Sequence, residues 1–384
     1  MSMQVQPRVR TGLDQLAGEH FKRFDGRHIA AIVNQASVDS SLRHLSDMLK
    51  QQCGRHLVRL FGPEHGFAGV AQDLESVNGQ TAPHPRWGVP VVSLYGQTED
   101  SLTPSREMLA DLEILLVDLP DIGSRYYTFA ATLVRTLRAS VGLGVEIVVL
   151  DRPNPLGSVA REGPVLKPGF ESFVGEMAIP VRHGLTLGEI GQWLIKNEKL
   201  DVNYSFISAT GATREMLFPE TGLPWVIPSP NMPTFDTALV YPGGCLIEGT
   251  NISEGRGTTR PFEVFGAPWL DEMQLAENLN NSGLGGFIAR PTQFKPTFQK
   301  HAGRICNGVQ IHVTNPIAFQ PVRVYTAAII AMRNQNPELF RWRTETYEYR
   351  DFPIAIDLLY GSDRERKMIE TGLSWQEVSG EWEY

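Results

Sequence analysis

Carboxylates set into turn-forming sequence are the residues of this chain best suited to chemistry. Glu64 lies in Gly62-Pro63-Glu64-His65-Gly66, Asp121 in Pro120-Asp121-Ile122-Gly123, and Asp151 in Asp151-Arg152-Pro153-Asn154-Pro155. A second concentration runs from Glu248 to Arg260, with two glutamates, two arginines, an asparagine, a serine, three threonines and three glycines. Glycine lets backbone amides approach a ligand closely, so the tract reads as a loop built against a polar ligand rather than as a helix or plain strand. Carbohydrate hydrolysis fits this inventory. One carboxylic acid protonates the leaving oxygen, and a second carboxylate attacks the sugar or activates water. Arginines would grip an anionic substituent through paired hydrogen bonds.

Other chemistries lack their signatures. No Walker lysine loop occurs, and Gly142-Leu143-Gly144 precedes a strand pattern instead of following one, so a nucleotide site is unsupported. There is no Gly-x-Ser-x-Gly elbow for a serine esterase and no His-Glu-x-x-His pair for a metal. Cys53, Cys245 and Cys306 are odd in number and widely spaced, which argues against a disulfide framework and points to a reducing compartment. The net charge of −8 carries no basic stripe for nucleic acid, and no apolar run approaches a membrane span. The N-terminal MSMQVQPRVRTGLDQL has no apolar h-region, so the chain reads as cytoplasmic.

The elements that must position these groups alternate in the first half. Strands are expected at 28–34, 56–61, 89–95, 113–119 and 145–150, and helices at 41–52, 104–111, 127–140 and 186–198. The strands are continuous apolar runs, as helix-covered parallel strands require. This predicts a doubly wound α/β domain over residues 1–199, with Glu64, Asp121 and Asp151 on one sheet edge next to His65, Arg125 and Asn154. Residues 200–384 read as a smaller mixed α+β domain. It is expected to hold a strand at 202–208, the polar tract, a helix at 270–281, strands near 286–298 and 308–314, and helices near 321–333 and 363–383.

Eight ordered segments resemble one family. They are FGPEHGFAG (61–69), VSLYG (92–96), DLPDIGSRYYTF (118–129), VLDRPNPLG (149–157), REGPVL (161–166), IPVRHGLTLGEI (179–190), PSPNMPT (228–234) and YPGGCLIEGTNISEGRGTTRPFE (241–263). The chain is identified by them as similar to the exo-β-N-acetylmuramidases (NamZ-like), long catalogued as a domain of unknown function. The resemblance implies a Rossmann-like domain, a smaller C-terminal domain, a cleft between them and no cofactor. It also implies release of N-acetylmuramic acid (MurNAc) from the non-reducing end of peptidoglycan-derived disaccharides or short glycans.

On this resemblance Glu64 is the first catalytic candidate, with His65 tuning it; the second carboxylate is open among Glu248 and Glu254 of the polar tract and Asp121 and Asp151 at the strand ends, each of which could instead hold a backbone amide or pair with an arginine. Candidate substrate-binding residues are Asp121, Arg125, Tyr127, Asp151, Asn154, Arg182, His183, Asn231, Asn251 and Arg256. Arg125, Arg182 and Arg256 are natural partners for the lactyl carboxylate of MurNAc. Tyr127 and Trp225 are candidate stacking platforms, and Tyr126 reads as core. Two other readings use the same residues, an ester hydrolase and a non-catalytic muropeptide-binding module.

Overall fold

The computed structural model describes residues 8–72, 75–76 and 83–382. Residues 1–7 of the N-terminal stretch and residue 383, the end of the helix expected at 363–383, lie outside that range. The chain divides into two units, Met1–Gly123 with Tyr127–Val159 and Gly184–Pro230, and Ser124–Tyr126 with Ala160–His183 and Asn231–Tyr384.

In the first unit the order is α1 (Gly12–Gly18), β1 (Ile29–Val33), α2 (Leu45–Cys53), β2 (Leu57–Gly62), β3 (Val91–Ser93), α3 (Arg106–Ala110), β4 (Ile114–Asp118), α4 (Phe129–Ser140), β5 (Glu146–Leu150), α5 (Leu187–Glu198), β6 (Asn203–Ile207) and α6 (Phe218–Thr221). The six strands are all parallel, in the order β3-β2-β1-β4-β5-β6. This is a doubly wound, Rossmann-like order whose direction reverses between β1 and β4. Every residue of β1 and β4 is buried, as the apolar runs IAAIV and ILLVD demand of central strands covered on both faces. Leu13 and Leu16 of α1 and Leu45, Met48 and Leu49 of α2 pack with Ile29, Ala31, Val33, Ile114 and Leu116 in one core. Successive strand residues point to opposite faces, so Ala30, Ile32, Leu115 and Val117 fill the other side.

The expected elements appear with shifted ends. The helix expected from residue 41 starts at Leu45, because Leu42 holds φ +62° and His44 caps the first turn by accepting from the Ser46 amide at 3.1 Å. The expected strand 89–95 shrinks to three residues, with the Pro90 carbonyl accepting from Leu60 N at 3.0 Å just before it. Residues 203–207, expected in the second domain, form the sixth strand of the parallel sheet. The first unit therefore runs to Pro230 rather than to residue 199, and residues 124–126 and 160–183 belong to the second.

The second unit holds α7 (Phe235–Gly244), β7 (Val264–Ala267), α8 (Glu272–Asn280), β8 (Phe287–Phe294), β9 (Cys306–Val313), α9 (Pro321–Gln335), α10 (Ala355–Tyr360), α11 (Arg364–Glu370) and α12 (Trp375–Val378). Its sheet is antiparallel in the order β7-β9-β8. The run ALVYPGGCLI is buried helix, continued as a tight 3₁₀ turn over Cys245–Gly249 that carries Glu248. A Cβ on Gly243 would stand 2.1 Å from the Pro321 carbonyl, so glycine is what lets α7 lie against the start of α9. The single helix expected over 363–383 is broken into α11 and α12 by Gly372 at φ +85°.

Gly12 fixes the start of α1 against the ends of β5 and β6. Its amide donates to the Asp151 carbonyl at 2.8 Å, and a Cβ there would lie 2.3 Å from Ile207 O and 2.6 Å from Asp151 N. Both obstacles are sheet backbone, so Gly12→Ala is expected to cost about 2 kcal/mol. Urea denaturation should show a lower midpoint with unchanged slope, and a wild-type midpoint would contradict this packing.

Candidate active site

The loop after β2 is a compact frame for Glu64. Leu94 N donates to Gly62 O at 2.8 Å and Gly66 N to Pro63 O at 2.9 Å, closing a turn around the glutamate. A Cβ on Gly62 would sit 2.6 Å from Phe67 N, so the loop folds back where only glycine fits. His65 adopts φ +66°, and its Nδ1 bonds the Ala71 carbonyl at 2.9 Å. The histidine thus pins the far end of the loop. Glu64 is buried (5% exposed), and its Oε2 accepts from the Thr128 hydroxyl at 2.5 Å.

Thr128 is the residue before α4, and Tyr127 precedes it. The Tyr127 phenol is raised well above its usual value, first by burial and then by the charges of Asp121 and Glu64, against a hydrogen bond with Ser229. It therefore stays a neutral hydroxyl beside two carboxylates. Asp121 is half-buried, and its Oδ2 accepts from Gly123 N at 2.7 Å in an aspartate turn. Glu64, Asp121, Tyr127, Thr128 and Ser229 thus form one group at the carboxyl end of the parallel sheet.

A cavity of about 60 Å³ opens against Asp121. Its walls come from the segments after β1 (Ala36, Val38), β4 (Pro120, Ile122) and β5 (Pro153, Pro155), closed by Trp225 and Pro228. That is the reversal point of the strand order, where open α/β sheets bind ligands. Trp225 is half-buried in this wall with Phe218 edge-on at 4.9 Å.

The third strand-end acid is engaged at the start of α5. Asp151 accepts from Gly188 N at 2.9 Å and the Thr186 hydroxyl at 2.7 Å, at the start of α5. Burial pushes it up to about 6, partly offset by those bonds. Asn154 folds into a local turn, accepting from Leu156 N at 2.9 Å and donating to Leu185 O at 3.0 Å. Arg152 grips Asp118 through two bonds of 2.7 and 2.9 Å. These residues shape the sheet edge.

Arg125, expected beside Asp121, belongs to the second unit. Its guanidinium donates to the carbonyls of Pro164, Ile179, Leu359 and Tyr360 at 2.7–3.0 Å. The Tyr126 ring is core, 1% exposed, with its hydroxyl on the Pro242 carbonyl.

The polar tract is a buried ion network. Glu248 accepts from Arg256 at 2.7 Å on one oxygen and from the Tyr347 hydroxyl at 2.7 Å on the other. Burial opposes its charge, but the Arg256 guanidinium and these bonds hold it below the usual carboxylate range. Glu254 lies 3.5 Å from Arg256 and accepts from Lys300 at 2.8 Å. The Lys300 ammonium also donates to the carbonyls of Ile247, Glu248 and Ile252, while Arg256 stacks 5.0 Å over Phe262. Asn251 ties to Leu339 O and Arg341 N at 2.8 and 3.0 Å. Asn231, Arg182 and His183 are buried in this unit too.

Residues that carry the site without a sequence signal are Thr128 and Ser229, ordinary hydroxyls inside quoted segments. In the second unit, Glu162 of Arg161-Glu162-Gly163 is a buried acid that likewise gave no sequence signal. Its Oε1 accepts from Arg323 N at 2.8 Å, supplying the cap that Gln320 does not give α9. Burial pushes Glu162 up to about 7, against the pull of the backbone bonds and of Arg182.

Among the described residues, no cluster of three histidines, cysteines or acids is placed to hold a metal. No described helix is long and apolar enough to cross a membrane.

The N-terminal model of the exo-β-N-acetylmuramidase NamZ matches residues 29–236, and the C-terminal model matches residues 239–384. The chain belongs to the NamZ family. It is 40% identical over 378 residues to the peptidoglycan β-N-acetylmuramidase NamZ of Bacillus subtilis (strain 168), covering 98% of this chain and 88% of that one. Crystal structures of two Bacteroides fragilis proteins of the DUF1343 family share the fold. One has TM-score 0.87 at 32% identity and the other 0.72 at 29%, each covering 98% of this chain and 94% of theirs.

The buried acid of this NamZ-family chain at residue 162 should show in its stability. A carboxyl at about 7 when folded against 4.5 when free favours the protonated form in the fold. Its contribution is therefore full below pH ~4.5 and is lost as pH rises through ~7. Asp151, at about 6 against 3.8, acts in the same direction. Wild-type stability from urea unfolding is expected to fall by roughly 1–3 kcal/mol between pH 5 and pH 8, and Glu162→Gln should remove much of that loss. A Glu162→Gln protein with the wild-type pH slope would contradict the assignment.

Proposed function

We propose that this chain is an exo-β-N-acetylmuramidase that removes MurNAc from the non-reducing end of peptidoglycan-derived disaccharides or short glycans. The observation that carries the reading is Glu64. It is a buried carboxyl on the ligand-binding edge of a doubly wound sheet, held by Thr128 and grouped with Asp121 and Tyr127, in a chain of this family. Glu64 acts as general acid. Its proton passes to the glycosidic oxygen as the bond from C1 to that oxygen breaks, and the bond's electron pair leaves with the alcohol. Water supplies the new hydroxyl at C1, and its proton restores the acid.

Asp121 is the second carboxylate of this reading, because its charge bears on the same phenol as that of Glu64. The neutral Tyr127 hydroxyl donates to the oxygen atoms of the substrate or of a carboxylate. Glu248 and Glu254 hold the buried ion network, with Arg256 and Lys300 as counter-charges. Arg125 has the matching role of tying carbonyls together. The apolar cavity wall with Trp225 suits a methyl group of the sugar's substituents.

The test is turnover of MurNAc–GlcNAc and of chitobiose by wild type and by Glu64→Gln. Cleavage of the MurNAc compound alone, reduced by at least about a hundredfold in the variant, is the expected result. An inert wild type that still binds the disaccharide would favour a muropeptide-binding module, and a fully active variant would remove Glu64 from the chemistry.

A further inference from the structure

We infer that Thr128 is a positioning residue that decides which oxygen of Glu64 carries the catalytic proton. The inference rests on Glu64 being the acid and goes one step further, to the atom.

Thr128 occupies the position before α4, where a threonine hydroxyl ordinarily turns back to accept from the first-turn amides. Here it does not. Its backbone is already helical (φ −66°, ψ −8°), and its side chain makes no cap hydrogen bond. The hydroxyl instead donates to Glu64 Oε2 at 2.5 Å. Thr128 is itself held, since its carbonyl accepts from Thr132 N at 2.9 Å and from the Thr132 hydroxyl at 3.1 Å. Thr136 donates to Thr132 O at 2.7 Å one turn on, continuing this bracing along α4. The hydroxyl therefore projects from a rigid helix start, and both partners are less than a tenth exposed.

Forfeiting a cap while spending the hydroxyl on a carboxylate from another segment is what a fixed acid needs. A carboxylic acid carries its proton on one oxygen, and the other is then a hydrogen-bond acceptor. Thr128 occupies Oε2 as that acceptor. Oε1 takes no hydrogen bond among the described residues, so the proton resides there. The glutamate is thereby locked in both rotation and proton site. A misplacement of about 1 Å in a catalytic group can cost on the order of a hundredfold in rate.

The test separates positioning of an acid from support of the fold. The GlcNAc of the disaccharide is a poor leaving group whose oxygen must be protonated, whereas a dinitrophenolate leaves without a proton. For Thr128→Val, kcat/KM on MurNAc–GlcNAc is expected to fall roughly tenfold to a hundredfold, while kcat/KM on the dinitrophenyl β-MurNAc glycoside stays within about twofold. Thr128→Ser, which keeps the hydroxyl, should restore the disaccharide rate. Equal losses on both substrates, or no loss on either, would overturn the role of Thr128. Glu64→Gln run in parallel keeps the two claims apart. If it shows the leaving-group split and Thr128→Val does not, only the positioning claim fails. If Glu64→Gln is fully active on the disaccharide, the acid assignment fails and the inference with it.

Discussion

Parallel pairing of β2, β1 and β4 is the constraint on which the candidate site depends. Because the three strands run the same way, their carboxyl ends finish along one edge. The turn after Gly62 and the turn after Asp118 therefore emerge together. The chain after β4 enters α4 at Thr128, whose hydroxyl meets the acid of the β2 loop. Glu64 comes from one crossover and Thr128 from another, and a hydrogen bond of 2.5 Å joins them. No single loop could hold a carboxyl this rigidly, since loop backbone is the softest part of a fold. Here the acid has the sheet beneath it and a helix start beside it.

The same principle separates groups that do chemistry from groups that hold shape. A charge taken out of water must be paired, or it shifts toward neutrality. Glu248, Glu254, Arg256 and Lys300 follow the first course, with every acid opposite a base and the ammonium also held by three carbonyls. Glu162 and Asp151 follow the second. Such groups shape the chain strongly: both oxygens of Glu248 are taken, whereas Glu162 is held through Oε1 and keeps its buried Oε2 without a hydrogen bond among the described residues. Glu64 differs in its place, at the carboxyl end of the parallel sheet with a hydroxyl rather than a counter-charge on its Oε2.

The first unit was legible in the sequence wherever burial was complete. IAAIV, ILLVD and EIVVL have apolar runs that only a covered parallel strand explains, and each lies within a residue or so of its expected place. The sixth strand was misplaced because it is an edge strand. Asn203–Ile207 is partly exposed along its length and alternates polar with aromatic residues, a pattern equally at home in an antiparallel sheet. In the polar tract, residue types were readable and pairings were not. Arginine beside glutamate looks the same whether the two grip a ligand or each other, and only the bond from Glu248 to Arg256, closed by Tyr347, separates the cases. Thr128 was invisible for a related reason, since a threonine inside the helix expected at 127–140 reads as an ordinary helical residue.

The most direct measurement is the crystal structure of Glu64→Gln with an uncleaved MurNAc–GlcNAc disaccharide bound. The glycosidic oxygen is expected about 3 Å from the side-chain amide at residue 64, with Thr128 still donating to its other terminal atom. A disaccharide whose glycosidic oxygen lies against Glu248 or Glu254 instead would contradict it.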